Sequence, residues 1–510
     1  MTPERVASFP LPMLLAGWVD IPHECAATVQ GLCLDSRIIR SGDLFFALAG
    51  SQSHGMEHGA LAAASGACAI LYDPARGGAE LARREWGIPC IPLEKLGQQL
   101  GHIADRFYGW PSSHLGVVGI TGTNGKTSCS HFLATALGEG GNAAVIGTLG
   151  WGVPGKLQPT THTTPNAIEM HSLLAKLLAG SFENVALEAS SHGLEQGRLN
   201  GIRFEGCLFT NLSRDHLDYH VTMESYLEAK LRMVTWPGLK FIAFNLDDES
   251  AMPVMRQAPH TIRKIGFTLT GKHRAYPGVE TVQALAVTPG PKGVSFDVRF
   301  GGQEAHLSSP LFGEFNVENL AGVVAVLLAK GFSLQEAVRR LQKVRAVPGR
   351  MERVSATHSP TTVVDYAHTP DALEKALASL KLHCSGRLWV VFGCGGDRDR
   401  GKRPQMGAIA ERLADHLVLT DDNPRSEDGD TIIAEIMAGC KRQDIIVERD
   451  RRLAIAYALE HLGPDDVLLV AGKGHEDTQE INGVKYPFND REVVVQLLGL
   501  AKEERKVLCA

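Results

Sequence analysis

A chain of 510 residues is too long for a single hydrophobic core, and three domains are the expected arrangement. With 44% hydrophobic and 21% charged residues and 54 glycines, the composition is that of an ordinary globular protein rich in tight turns, which excludes a disordered or fibrous chain. The formal charge of −6, from 51 basic and 57 acidic residues, comes without a polybasic stretch, so nucleic acid is not an expected partner.

The opening segment MTPERVASFP has no basic run leading into an apolar one, so no export signal is expected. Residues 1–107 mix short apolar runs with Gly- and Ser-rich turns, such as RSGDLFFALAGSQSHG, and read as a small α/β domain. At 115–120 the apolar run LGVVGI meets TGTNGKT and then the helical pattern HFLATALGEG, which is a buried strand, a loop and a helix. Strand-like runs NVALEAS, GCLFTNL and LKFIAFN follow, and this second domain spans 108–346. Its apolar stretch at 320–329 is the longest in the chain and falls far short of the roughly 20 residues needed to span a bilayer. From 347 to 510 the strand-like runs TTVVDYAH, LWVVFGCG, HLVLTDD, DIIVERD and DVLLVAGKG alternate with helical patterns, which argues for a parallel sheet covered on both faces. The ten cysteines are scattered, the nearest pair being Cys25 and Cys33, with neither metal or redox spacing nor a disulfide framework. A cytoplasmic protein without membrane insertion is therefore expected.

The expected fold class is α/β in three domains, with a mostly parallel sheet around the central P-loop and a C-terminal doubly wound, Rossmann-like domain. Ligands of doubly wound sheets bind beyond the carboxyl ends of the strands. DYAH, GDRDRGKR, DNPR and GKGHE all stand at such ends, so one crevice should collect them.

Gly122, Thr123, Asn124, Gly125, Lys126 and Thr127 carry the clearest chemistry. Backbone N–H groups of such a loop surround phosphate oxygens, the lysine neutralises charge, and the threonine hydroxyl can ligate Mg²⁺. The loop departs from G-x-x-x-x-G-K-[ST], whose first glycine would fall at Ile120. ATP is the expected nucleotide. Glu188 and His216 read on their own as a helix-capping carboxylate and a loop histidine, or as Mg²⁺ ligands; DHLDYH could also suggest zinc, though without a paired Cys or HExxH pattern. Lys230, in ESYLEAKLRM, reads alone as a solvated surface lysine.

The spacing GxxGTNGKT resembles that of the Mur ligases and of the related folylpolyglutamate synthetases. LEASSHGLEQGR, TNLSRDHLDYH, GEFNVEN, PGRMERV, DYAHTPD, GGDRDRGKRP, DNPR and GKGHE follow in family order, so the likeness runs through nearly the whole chain. It is closest to the members that add meso-2,6-diaminopimelate to UDP-N-acetylmuramoyl-L-alanyl-D-glutamate.

The resemblance implies metal contacts from Thr127, Glu188 and His216, and a CO₂-derived carbamate on Lys230 that supports a second Mg²⁺. It makes Lys126, Lys230 and His216 the catalytic group, and adds Asn316 at adenine and Arg350 and Asp365 at the phosphates and ribose of ATP. Leu34, Ser36, Ser51, Gln52 and Ser53 fall where the family binds uridine; Thr163, Thr164, Ser190, Gln196 and Arg198 fall where it binds the rest of the UDP-linked substrate. For diaminopimelate it implies Arg398, Asp422, Asn423, Pro424, Arg425, Gly472 and Glu476, with Glu476 facing the far ammonium. Arg425 is the most informative of these, because a planar guanidinium matches a carboxylate bidentately and diaminopimelate differs from lysine by one carboxylate. The implied reaction is transfer of the ATP γ-phosphoryl to the D-glutamate side-chain carboxylate, then attack of the amine on the acyl phosphate, by a monomer. Two rivals stand beside it: a folylpolyglutamate-type ligase and a P-loop ATPase that ligates nothing.

Overall fold

The computed structural model describes residues 8–22, 26–50, 53–271, 276–290, 293–354 and 360–499. Near the N-terminus, Gly31–Cys33, Asp43–Ala47, Ala69–Tyr72 and Cys90–Pro92 form a four-stranded sheet in that order, parallel throughout. Helix Leu96–Phe107 repeats its buried positions at helical spacing, setting Leu96, Leu100, Ile103 and Phe107 against Leu44, Phe46 and Leu71 of the sheet.

The run read as a buried strand is Gly116–Thr121, near the middle of an eleven-stranded sheet. It lies parallel between Asn184–Glu188 and Phe204–Phe209, with Ile120 opposite Glu188 and Thr121 opposite Phe209. That register brings the ends of three strands to one level, where the glycine-rich loop begins. Six of the strand pairings in this sheet are parallel and four are antiparallel, so the sheet is mostly parallel. The antiparallel pairs lie at its margins: the hairpin Gly150–Val153 with Lys156–Gln158, and the meander Val279–Gly290, Gly293–Phe300 and Gln303–Ser309.

Helix Glu314–Ala329 contains the long apolar stretch and explains it. Val317, Leu320, Val323, Val324, Val326 and Leu327 are all completely buried, because the helix is enclosed between the sheet and helices Lys126–Leu137 and Leu334–Leu341. A helix apolar on every side is a core helix when it is this short. No helix among the described residues is long and apolar enough to cross a membrane. The opposite face of the sheet is covered by Ala167–Ala179 and Ala251–Gln257.

The C-terminal sheet has six strands in the order Glu352–Arg353, Thr361–Asp365, Val467–Ala471, Leu388–Phe392, His416–Leu419 and Ile446–Val447. All but the first run parallel. Helices Pro370–Lys381, Lys402–Leu413 and Gly429–Met437 bury their apolar sides on one face, and Arg451–Glu460 and Asp490–Leu497 on the other, which is the doubly wound arrangement. The chain passes from Thr361–Asp365 to Leu388–Phe392 by leaving a place that Val467–Ala471 later fills. The strand ends on either side of that switch carry the polar motifs.

Leu327→Ala removes a fully buried side chain from the helix shared by the central core. The expected destabilisation is about 2–5 kcal/mol, seen as a lower midpoint in urea unfolding; an unchanged midpoint would contradict the central role of this helix.

Candidate active site

The loop between strand Gly116–Thr121 and helix Lys126–Leu137 depends on two glycines. Gly122 has φ +143° and Gly125 φ +85°, and a Cβ on either would run into the Thr210 hydroxyl or the Asn319 side chain. Ile120, where the general motif has glycine, is still a buried strand residue, so nothing requires glycine there. Lys126 folds back over its own loop and donates to the carbonyls of Gly122 at 2.9 Å and Thr123 at 2.8 Å.

Lys230 is 1% exposed and not a surface lysine. Its Nζ donates to the same Gly122 carbonyl at 2.7 Å and stands 4.4 Å from the centre of the Tyr226 ring. No salt bridge to it exists among the described residues. Burial, and then the neighbouring Lys126 charge, hold its pKa far below the usual lysine range.

Glu188, also 1% exposed, ends strand Asn184–Glu188 in a cage of donors. The hydroxyls of Thr127 and Thr148 each donate to Oε2 at 3.0 Å, and the Thr148 backbone N–H donates to Oε1 at 3.0 Å. A Cβ on Gly147 would overlap this carboxylate. The Thr148 hydroxyl meets that of Thr163 at 3.0 Å, and the Thr164 hydroxyl donates to the Glu188 carbonyl at 2.8 Å. Arg198 donates to the Thr164 carbonyl at 2.9 Å and to Gln196 Oε1 at 2.9 Å, while Ser190 caps helix Ser191–Glu195 through the Gly193 N–H. The five residues assigned to the UDP-linked substrate beyond uridine therefore form one network beside Glu188.

His216 takes a left-handed backbone, φ 54°, at the start of helix Leu217–His220. Its Nε2 lies 3.4 Å from Asp215, and its ring meets His192 edge-on at 5.0 Å. Thr127, Glu188, His216 and Lys230 line one cavity of about 180 Å³ with the glycine-rich loop. No group of three or more His, Cys, Asp or Glu side chains is gathered as a metal cage among the described residues, so the fit to an ion rests on this mixed set. Hydroxyl and carboxylate oxygens that leave room for water suit Mg²⁺.

The same cavity is closed by Arg350, whose guanidinium lies 4.3 Å over the Tyr366 ring and whose buried Nε has no hydrogen-bond partner among the described residues. An unpaired buried donor beside two lysines is a place for an anion. Asp365 accepts the N–H groups of Met351 at 2.6 Å and Ala367 at 2.8 Å, and burial raises its pKa. Asn316 does not reach either cavity of the cleft; its amide donates to the Phe312 carbonyl at 2.8 Å. In the N-terminal sheet Ser36 is buried, Leu34 half-buried and Ser53 exposed, while Ser51 and Gln52 lie outside the described residues.

A second cavity, of about 420 Å³, adjoins the first and is lined on one side by Arg398, Asp422, Asn423, Arg425, Gly472 and Glu476. Pro424 shapes its loop without lining it. Arg425 also has φ 54°; its Nη1 donates to the Gly396 carbonyl at 2.7 Å and its Nε lies 3.7 Å from Glu480. Glu476 lines the cavity, but one of its oxygens accepts from Lys473 at 2.8 Å and from Asn423 at 2.8 Å, so it is not simply turned toward a ligand. Asp215, His216, Tyr366 and His368 line both cavities.

Sequence reasoning missed Thr148 and Lys473. Thr148 lies in no motif, and becomes visible only when strand Ala143–Gly147 pairs in parallel with Asn184–Glu188. Lys473 sits inside GKGHE, but its full burial could not be read from a glycine-flanked lysine. Asp371 was also missed: it accepts from Asn124 of the glycine-rich loop at 2.8 Å across the cleft.

Three family models match the chain in order: Mur ligase family, catalytic domain, over 28–108; Mur ligase middle domain over 120–327; and Mur ligase, glutamate ligase domain, over 349–474. A UDP-N-acetylmuramoyl-L-alanyl-D-glutamate--2,6-diaminopimelate ligase from Alkalilimnicola ehrlichii is 46% identical over 492 residues, covering 95% of this chain and 98% of its own length. The protein of the same name from Coxiella burnetii is 44% identical, covering 91% and 94%. A solved structure of a ligase of that name aligns with TM-score 0.69 and 35% identity over 97% of this chain and 99% of that one. MurF ligase from Thermotoga maritima in complex with ADP aligns with TM-score 0.61 over 93% and 98%, at 18% identity, and so speaks to the fold alone.

Thr148→Val keeps the backbone donor to Glu188 and removes the hydroxyl one. On the expectation that Glu188 holds Mg²⁺, loss of a partner that orients it should weaken Mg²⁺-dependent ADP binding by about tenfold or more, leaving metal-free ADP binding near the parent value. Titration calorimetry checks this, and an unchanged Mg²⁺ dependence would exclude Thr148 from the metal site.

Proposed function

The chain belongs to the Mur ligase family, and from that premise we propose that it joins meso-2,6-diaminopimelate to the D-glutamate side-chain carboxylate of UDP-N-acetylmuramoyl-L-alanyl-D-glutamate. The reaction consumes ATP, forms ADP and supplies a peptidoglycan precursor. One observation carries the reading: the phosphate-side cavity and the arginine-lined cavity share Asp215, His216, Tyr366 and His368 as walls. An acyl phosphate formed in the first is thus within reach of an amine bound in the second.

In this reading the γ-phosphoryl of ATP lies against the 122–127 loop and the N-terminus of helix Lys126–Leu137, whose N–H groups point at it. Lys126 leaves the carbonyls of its own loop to neutralise charge on the transferring group, a term that acts strongly in a water-poor site. Mg²⁺, held by Thr127 and Glu188 with His216 nearby, would supply charge neutralisation at the phosphates. Arg350, with its unpaired Nε, approaches the nucleotide from the C-terminal side, and Asn316 and Asp365 are assigned to adenine and ribose. The network of Thr163, Thr164, Ser190, Gln196 and Arg198 holds the acceptor end of the UDP-linked substrate, with uridine assigned to Leu34, Ser36 and the 51–53 segment. Arg398 and Arg425 hold the carboxylate of diaminopimelate distant from the attacking amine. Asp422, Asn423, Pro424, Gly472 and Glu476 shape the rest of that pocket. The UDP-linked substrate is assigned to residues 1–107, ATP to 108–346 and the amino acid to 347–510, in a monomer of the cytoplasm, where ATP and UDP-linked precursors are made.

Lys230 is assigned a carbamate. A buried amine with a depressed pKa and no salt bridge among the described residues is neutral enough to attack CO₂, forming an N–C bond and releasing a proton. The product is an anion beside Lys126, where two lysine nitrogens otherwise share one carbonyl. Lys230→Ala should be nearly inactive, with partial recovery on adding a short carboxylic acid; full activity in Lys230→Ala or Lys230→Arg would exclude the assignment.

Amino-acid choice is tested at Arg425. Truncating one partner of a desolvated arginine–carboxylate pair typically costs about 2–5 kcal/mol. Arg425→Ala should raise the diaminopimelate KM by about tens- to thousands-fold and leave the KM values for ATP and the UDP-linked dipeptide near the parent. Lysine should gain relative to diaminopimelate. An unchanged kcat/KM ratio for the two amino acids would remove the support for diaminopimelate, and turnover of a folyl substrate instead would replace the reading.

A further inference from the structure

Two loops of the arginine-lined cavity, 395–398 and 422–427, are fastened to each other by residues that do not line it. Arg403, at the start of helix Lys402–Leu413, is completely buried. Its Nη1 donates to Glu427 Oε2 at 3.0 Å and to Glu435 Oε2 at 2.6 Å, and its Nη2 donates to Glu427 Oε1 at 2.9 Å and to the Gly395 carbonyl at 3.1 Å. Glu427 Oε1 in turn accepts the backbone N–H of Asp397 at 2.6 Å. The Asp397 carboxylate accepts from the hydroxyl of Ser426 at 2.7 Å and from its backbone N–H at 3.2 Å. Apart from the Arg403 bond to Gly395, which ties the helix to its own loop, every bond in this chain joins one loop, or the helix after it, to the other.

The two arginines expected to meet the substrate depend on that joint. Arg398 follows Asp397 directly, and Arg425 stands two residues before Glu427. Asp397 and Arg425 both have φ 54°, a conformation that a non-glycine residue keeps only when its surroundings impose it. Arg425 Nη1 moreover rests on the Gly396 carbonyl, inside the loop that Glu427 holds. A shift of 395–398 therefore moves both guanidinium groups. The Arg403 hydrogen bonds keep the Glu427 carboxyl ionised, with a pKa of about 2, so the joint persists at any working pH.

On the reading of the cavity given above, we propose that Glu427, anchored by Arg403, is a positioning residue that sets selectivity for the amino-acid substrate by fixing Arg398 and Arg425 relative to each other. It touches no substrate; it acts through the two loops.

The test uses the full enzyme with ATP, the UDP-linked dipeptide, and either meso-diaminopimelate or lysine. Glu427→Gln keeps the shape and removes the charge. It should raise the diaminopimelate KM by about tenfold or more with a smaller change in kcat, leave the other two KM values unchanged, and lower the diaminopimelate-to-lysine ratio of kcat/KM. Glu427→Asp should recover part of the loss. Asp397→Ala, on an exposed loop residue away from the buried arginine, should show the same KM pattern even if Glu427→Gln lowers the unfolding midpoint. In an Arg425→Ala background, where only Arg398 is left to displace, Glu427→Gln should change the ratio by clearly less than it does in the parent. The parent ratio in both Glu427→Gln and Asp397→Ala, or a fully additive loss in the Arg425→Ala background, overturns the inference alone. An unchanged ratio in Arg425→Ala by itself overturns the assignment of the cavity, and the inference with it.

Discussion

Two lysine Nζ atoms donate to one carbonyl, that of Gly122, and the rest of the site is arranged around this crowding. Burial and the repulsion of the Lys126 charge together hold the Lys230 pKa far below the usual lysine range. Lys230 lies inside the protein with no salt bridge among the described residues. Gly125, the helix start at Lys126 and Arg350 all line the same small space. Phosphate groups on one side, and on the other the carbamate proposed for Lys230, would relieve what the protein alone leaves unfavourable.

The same constraint explains why two sheets meet at their carboxyl ends. Phosphates held by the central sheet's loop are useful to a ligase only if an amine can be delivered from the other side, and that side is the switch region of the C-terminal sheet. Around the cleft itself the contact is made through polar groups, Asn124 to Asp371 at 2.8 Å, Ser213 to Asp371 at 3.3 Å and Arg214 to Asp399 at 3.6 Å, while away from it Phe312 packs into the C-terminal core. Contacts of this kind hold two bodies together while costing little to break. Closure that excludes water and opening that releases product both need that property.

Much of this was legible in the sequence, and the reason differs from place to place. The strands ending at Thr121, Glu188 and Asp365 are apolar runs that stop at polar motifs, a pattern that only a buried parallel strand produces. The glycine-rich loop declares itself by residue type, since only glycine takes the backbone angles at 122 and 125. Lys230 was invisible locally: a lysine in ESYLEAKLRM has the look of a solvated one, and its 1% exposure results from the tertiary position of helix Met223–Leu231. Thr148 and Asp371 were hidden for a related reason, because each acts on a residue far away in the chain. The meander from Val279 to Ser309 went unread because its motif-free strands bury residues on one face only, a weaker signal than a continuous apolar run. For Asn316 the family position pointed to adenine, whereas the structure turns its amide back onto the Phe312 carbonyl.

The central claim is that phosphoryl transfer in one cavity is coupled to amine attack from the next. It is tested most directly by following phosphate release with ATP, the UDP-linked dipeptide and meso-diaminopimelate present together and with each omitted in turn. The account predicts sustained release, equal in amount to the amide formed, only when all three are present. Steady ATP hydrolysis that continues undiminished without the dipeptide and the amino acid would contradict it, and would make the chain an ATPase built on a ligase fold.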